Sequence, residues 1–384
     1  MSSDFLESRH SSRHFRLGLL TLLLCPAAGG NEVNRQVQQD PVPVFKAGTS
    51  LVRVDVVVTD KNGVQVRDLT ASDFEIEADG LRVPVRVASF IPVRVEPAEE
   101  PSQADAAATV RRVVAFYVSL PVVRVESPMQ GFETTVSVGD KSRRVARMLD
   151  SFFKTQMLPT DLVAIARADS ASIEMLADFG SDRQILETAG ARAGEVSLDH
   201  AAIPLRTVVI PPSGFGGPGF ADMSIVADYT TRVLLSVDRL ISAMEGLPGR
   251  RLLFFVGSLR LRSSPRDPGR FEPAQRMAEA VIEHANRAEV TLFGIEPSGF
   301  DQGNTDDLAE LANGTGGSVV GRTEMLGLNL GKILARNLGY YSIGYEPRDE
   351  ANVTTQKIRV RVKRKGVQVS ARPVAFPKAS PSKP

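Results

Sequence analysis

Residues 111–121 read RRVVAFYVSLP, a short apolar run with charge at one end and proline at the other. A run of that length without polar alternation fits a strand buried on both faces of a parallel sheet. Further apolar runs follow at Asp161–Ala168, Arg251–Gly257, Val290–Ile295 and Tyr340–Tyr345, with a shorter one at Gly316–Val320. Between them lie segments with apolar residues at helical spacing: Ser142–Met157, Arg183–Ala191, Asp228–Leu247, Pro273–Ala288, Asp306–Ala312 and Leu326–Leu338. Ser181-Asp182 is placed to cap the second of these, and Pro273 sits at a favoured first turn. Strands alternating with helices predict an α/β fold with a doubly wound, mostly parallel sheet of Rossmann type. Ligands bind such sheets beyond the carboxyl ends of the strands, which puts Tyr117–Pro121 under scrutiny.

The flanks follow a different rhythm. Leu51, Val54, Val56 and Val58 lead into Asp60-Lys61-Asn62-Gly63, and Asn-Gly between apolar runs signals a hairpin. Phe74–Gly80 and Leu81–Phe90 read as a second strand pair, with Val83, Val85 and Val87 alternating. Near the other end, Lys357–Lys363 and Val367–Ala371 read as a hairpin turned at Lys365-Gly366. Its first strand sets four cations on one face and apolar residues on the other. Residues 45–96 are too few for a comfortable core alone. The expectation is a small β-sandwich-like unit of 45–96 and the hairpin region 347–376, joined by a linker at 97–110 to the α/β domain at 111–346. Residues 31–44 read as a tether and 377–384 as a disordered tail. The Gly- and Pro-rich 194–220 reads as a surface insertion, because no Lys-Ser/Thr follows its glycines to make a phosphate cradle.

The chain balances 46 basic against 45 acidic residues, so no overall field draws nucleic acid or an anionic membrane. Arg9, Arg13 and Arg16 precede the apolar run Leu17–Leu24, and small residues Ala27–Gly30 follow. That layout predicts a secretory signal over 1–30 and export to periplasm, cell surface or medium, with no stable membrane span after cleavage. Cys25 stands where a lipid-modified cysteine would, but Leu24 before it is larger than usual, which favours ordinary cleavage near Gly30. Without a second cysteine the exported chain holds no internal disulfide. His200 and His284 have no spacing partner for metal or triad chemistry, and Asp306-Asp307 suits the dipole and capping of a helix start.

Two stretches carry a resemblance. Leu308–Ala312 running into Thr315-Gly316-Gly317, and Tyr340–Pro347, are similar to the end of a von Willebrand factor type A domain. With Val54–Asp60, Asp68-Leu69-Thr70 and Asp73-Phe74-Glu75, the chain resembles the acidobacterial VWFA-related family of secreted bacterial proteins. The resemblance spans nearly everything after Phe45. It implies a metal-ion-dependent adhesion site at the end of the first strand, built on Asp-x-Ser-x-Ser with a Thr and an Asp from later loops. The aligned residues here are Tyr117, Val118, Ser119, Leu120 and Pro121, so only Ser119 matches. After the third central strand, Gly257-Ser258-Leu259-Arg260 stands where the family offers Ser/Thr-Asp-Gly. A hard cation needs oxygen ligands, chiefly carboxylates, so no metal and no cofactor are expected.

Arginine gathers on the same rim: Arg124 beyond the first strand, then Arg260, Arg262, Arg266 and Arg270. A guanidinium fork grips a carboxylate directly. The site residues expected from sequence are thus Ser119, Arg124, Arg260, Arg262 and Arg266, meeting a protein or other acidic-group-bearing ligand of the cell envelope. The bland alternative is a solvated basic loop. At the level of function, the reading is a non-enzymatic interaction or adhesion-type module with a degenerate metal site. The alternative is an envelope hydrolase or other enzyme working near Ser119 and the 194–220 insertion. Calorimetric titration with Mg²⁺ and Mn²⁺ should show no micromolar binding, and binding in that range would restore the ion to Ser119.

Overall fold

A computed structural model describes residues 51–96, 110–120, 124–126, 133–135, 138–168, 173–195, 223–262, 269–297, 305–320, 325–347 and 355–377. The expected signal and tether, most of the linker and insertion, Arg266 and most of the tail lie outside these residues. In chain order the elements are β1 (Val52–Asp60), β2 (Phe74–Ala78), β3 (Leu81–Val83), β4 (Val85–Pro92), β5 (Arg112–Ser119), β6 (Arg124–Glu126), β7 (Glu133–Thr135) and α1 (Val138–Thr155). Next come β8 (Leu162–Ala168), β9 (Ile173–Gly180), α2 (Arg183–Gly194), α3 (Met223–Glu245), β10 (Arg250–Gly257), α4 (Glu272–Arg287), β11 (Val290–Ile295) and α5 (Thr305–Asn313). The chain closes with β12 (Val319–Val320), α6 (Leu326–Arg336), β13 (Gly339–Tyr345), β14 (Gln356–Val362), β15 (Val367–Ala371) and β16 (Val374–Ala375).

The central sheet runs β12-β11-β10-β5-β8-β9, parallel except for the edge strand β9. β5 lies in its middle with all eight residues buried. Its side chains alternate between two cores. Val113, Ala115 and Tyr117 join the face covered by α3, α4 and α5, and Val114, Phe116 and Val118 join the face covered by α1, α2 and α6. This is the doubly wound α/β fold. Asp182 caps α2 by accepting from the amides of Gln184 and Ile185 at 3.0 and 3.2 Å, as its position before the helix implied. β9 had no counterpart in the sequence reading, because IEMLADFG mixes acids with apolar residues as an exposed edge permits.

The flanking strands close into two four-stranded sheets, β15-β1-β13-β4 and β16-β14-β2-β3. Their facing sides bury Val54, Val56, Phe74, Ile76, Tyr341 and Ile343, among others, in one core. Phe74 and Phe90 pack their rings on Tyr341 at 5.1 and 5.3 Å. Pro84 separates β3 from β4, and with no N–H to extend the ladder the chain steps from one sheet to the other there.

Two expectations are corrected here. Tyr340–Tyr345 is not the last strand of the α/β sheet: β13 pairs antiparallel with β1 and β4 inside the sandwich. A strand covered on both faces looks the same in sequence whichever layers cover it. The C-terminal hairpin is also not a hairpin. β14 pairs with β2 and β16, whereas β15 pairs with β1. Both strands carry an apolar stripe, and setting them on opposite sheets lets Val360 and Val369 both pack against the shared core. The Asn62-Gly63 turn makes one bridge, Thr59 to Gln65, before the chain leaves the sheet.

At the amino end of the central sheet, Arg112 and Asp161 form a buried bidentate pair, with Nε–Oδ1 2.9 Å and Nη2–Oδ2 2.6 Å. Gln156 O accepts a further hydrogen from Arg112 at 2.9 Å, and the Leu158 amide donates to Asp161 at 2.8 Å. Asp161→Ala would strand a buried guanidinium, so urea unfolding should show a loss of about 3–5 kcal/mol. Pairing Asp161→Leu with Arg112→Met should recover much of that loss.

Candidate functional site at the strand switch

The chain lays down β5, β8 and β9 towards one edge, then β10, β11 and β12 towards the other. The reversal falls between β5 and β10, and the crevice beyond their carboxyl ends is where such sheets bind ligands. Ser119 ends β5 and Gly257 ends β10, directly paired. Gly257 has φ +152°, and a Cβ there would collide with the Ser119 carbonyl. Only glycine allows the two strands to end this close together.

Ser119 is fully buried. Its Oγ lies 2.8 Å from the hydroxyl of Tyr229, which α3 projects over the strand end. Burial pushes the Tyr229 pKa up from its ordinary value of 10 to about 12, against the lowering effect of the Ser119 hydrogen bond and of Arg232. Beneath it, burial likewise raises the Tyr117 pKa. Among the described residues the Tyr117 hydroxyl finds no partner in hydrogen-bond geometry. Ser236, which faces it, donates its own proton to the Arg232 carbonyl at 3.0 Å. The switch point is therefore filled by phenol rings, and the one serine that matches the adhesion-site pattern is held by a tyrosine.

The loop after β10 is stapled down along its length. Ser258 donates to Glu296 Oε2 at 2.7 Å, and the Leu261 amide donates to Asp307 Oδ2 at 2.9 Å. Leu259 and Leu261 turn into the core, which leaves Arg260 and Arg262 on the outer side. Arg262 reaches Asp307 at 3.3 Å and Glu310 at 3.4 Å. Arg260 lies over the Phe271 ring, 5.8 Å from its centroid. Of the expected site residues, the structure thus brings Ser119, Arg260 and Arg262 to one rim, with Arg262 engaged by in-chain carboxylates. Arg124 opens β6, paired with β7, and its side chain lies outside the described residues, as does all of Arg266.

Two rim residues escaped the sequence reading. Glu296 directly follows β11 and is buried, and Asp307 is buried as well. Asp307 lies in the first turn of α5, as its sequence position implies, and its carboxylate also anchors the Ser258–Arg262 loop. The available signal was the glutamate standing at the carboxyl end of VTLFGI, the end where a parallel sheet places functional groups. Among the described residues, no group of three or more His, Cys, Asp or Glu side chains is arranged to hold a metal ion. His284 clamps helices: Nδ1 sits 2.7 Å from Asp238 on α3 and Nε2 3.8 Å from Glu245.

No family model and no curated protein matches the sequence. Among solved structures, the chain is similar to an aerotolerance-related membrane protein from Bacteroides fragilis NCTC 9343 carrying multiple mutations to serines. The identity is 12%, the TM-score 0.32, and the match covers 60% of this chain and 98% of that one. It is also similar to the SpRpn10 VWA domain, at 9% identity and TM-score 0.26, covering 57% of this chain and 93% of that one. No described helix is long and apolar enough to cross a membrane.

Tyr229→Phe should lower stability at pH 7 by about 1–2 kcal/mol, because it leaves the buried Ser119 hydroxyl unpaired. The neutral phenol is the form the fold favours, so its contribution is whole below the unfolded tyrosine pKa near 10 and is lost as pH rises through about 12. Denaturant melts from pH 9 to 12 should show stability falling in that window, and falling less in Tyr229→Phe.

Proposed function

We propose that this chain is an exported, non-enzymatic interaction module of the von Willebrand factor type A kind in which the metal-dependent contact has been lost. The observation that carries the reading is the Tyr229 hydroxyl seated on Ser119 at the switch point. For Ser119 to ligate a cation, Tyr229 would have to leave and a carboxylate would have to arrive from elsewhere, since Tyr117 and Pro121 stand where the family pattern has acid and serine.

Partner contact then falls to the outer side of the Ser258–Arg262 loop. Arg260 is the leading contact, because its guanidinium rests on a ring face and meets no described carboxylate there, whereas Arg262 already has two. A planar guanidinium held by stacking is ready to take a carboxylate of a protein partner in bidentate fashion. The fixed loop lowers the ordering cost of that encounter.

Envelope protein from the source organism, passed over the immobilised chain, should yield a partner retained in EDTA and released by salt. Arg260→Glu should weaken that capture about tenfold or more, through like-charge repulsion at the contact. Arg262→Ala should act less on binding than on loop stability. Retention of the partner by Arg260→Glu at undiminished affinity would remove the rim from the contact, and release by EDTA would bring back the metal.

A further inference from the structure

The face of β1 turned away from the sandwich core meets the α/β layer across a charged seam, buried at Asp55, Arg250 and Arg372 and open to solvent at Arg53. Asp55 lies 3.6 Å from Arg53, 3.9 Å from Arg250 and 4.0 Å from Arg372. Glu289 lies 3.1 Å from Arg53, 3.8 Å from Arg251 and 3.9 Å from Arg372. Four guanidiniums thus share two carboxylates, mostly at loose distances. Arg250 and Arg372 are each only 8% exposed. Buried charge without full compensation is costly, and an additional anion would relieve it. Arg250 registers the imbalance: burial lowers its pKa, Asp55 acts to raise it, and the like charge of Arg372 lowers it again.

Beside Arg250 opens a hollow of about 160 Å³, room for roughly five waters at about 30 Å³ each. Thr59, Gln368 and Ser370 line it from the sandwich, and Arg250, Thr291 and Arg336 from the α/β layer. Among the described residues, no aspartate or glutamate lines it. Arg250 donates from Nη2 to Asn337 Oδ1 at 3.4 Å, while its buried Nε has no partner among the described residues. The carbonyls at the end of α6, which would repel an anion, are covered: Asn337 Nδ2 donates to Ile333 O and Gln65 Nε2 to Arg336 O, each at 2.9 Å. Gln368 and Ser370 are exposed, so the mouth faces solvent.

We propose that this hollow is a binding site for a small tetrahedral oxyanion, inorganic phosphate or sulfate, held by Arg250 with Arg336 and the Thr59 and Thr291 hydroxyls around it. Donors on several walls suit a tetrahedral group better than a planar carboxylate, and water alone would satisfy Nε without balancing the charge. The bound anion would tie β1 and β15 of the sandwich to β10, β11 and α6 of the α/β layer.

The test is calorimetric titration of the intact chain with sodium phosphate, sulfate and acetate at constant ionic strength in a chloride background. Saturable binding of phosphate or sulfate is expected, acetate binding at least tenfold more weakly, and the tighter of the first two names the ligand. Arg250→Gln should abolish the signal and Arg336→Gln should weaken it severalfold, with circular dichroism confirming the fold of each. Because Arg250 also meets Asp55, Thr291→Val serves as the independent variant should Arg250→Gln fail to fold, and it should weaken binding too. Absence of saturable heat with phosphate and sulfate, acetate binding as tightly as either, or unchanged affinity in Arg336→Gln and Thr291→Val would overturn the proposal.

Discussion

β1 is buried on both faces, and the two halves of the structure meet through it. Val54, Val56 and Val58 point into the sandwich, and the alternate residues Asp55, Val57 and Thr59 point towards the α/β layer. β13 repeats the arrangement beside it: Tyr341, Ile343 and Tyr345 face the sandwich core, while Tyr340 takes the Arg250 guanidinium over its ring at 5.4 Å. Each of these two interior strands supplies side chains both to the sandwich and to its joint with the α/β layer. A sandwich this small gains from resting on a larger body, since surface scales unfavourably with size in small domains.

The joint itself is polar, which sets it apart from the three apolar clusters. Asp55 is the carboxylate around which Arg53, Arg250 and Arg372 gather, and Arg372 also donates to the Asn286 carbonyl at 2.7 Å. Ionic contacts of this kind add less to stability than apolar packing of the same volume, but they penalise any docking that leaves a charge unmatched. The orientation of the sandwich on the sheet is thereby restricted to one in which Arg250 reaches Asp55 and Glu289 reaches Arg53 and Arg372, the pairs that cross the joint. The hollow beside Arg250 lies in the same joint.

At the opposite end of the central sheet the chemistry is that of closure. Gly257 lets β5 and β10 end in contact, Tyr229 covers Ser119, and Glu296 and Asp307 hold the loop that follows β10. Acidic residues are present on this rim, but they face Ser258, the Leu261 amide and Arg262. The described hydroxyls and carboxylates pair with one another and hold the loop that carries Arg260.

Local chemistry in the sequence was enough to determine the α/β alternation, the buried central strand and the helix cap at Asp182. Period and composition act within a few residues, and each of these features depends on nothing further away. Assignment of β13 to the sandwich, the splitting of Lys357–Lys363 and Val367–Ala371 between two sheets, and the existence of β9 were decided by tertiary structure. In the first two, an apolar stripe states that a face is buried without stating what buries it; at the edge, β9 has no stripe at all. The same holds at the rim and the joint. Tyr229 reaches Ser119 across 110 residues and Arg372 reaches Asp55 from the far end of the chain. Such pairings follow from which strands lie side by side, and only the folded chain brings those strands together.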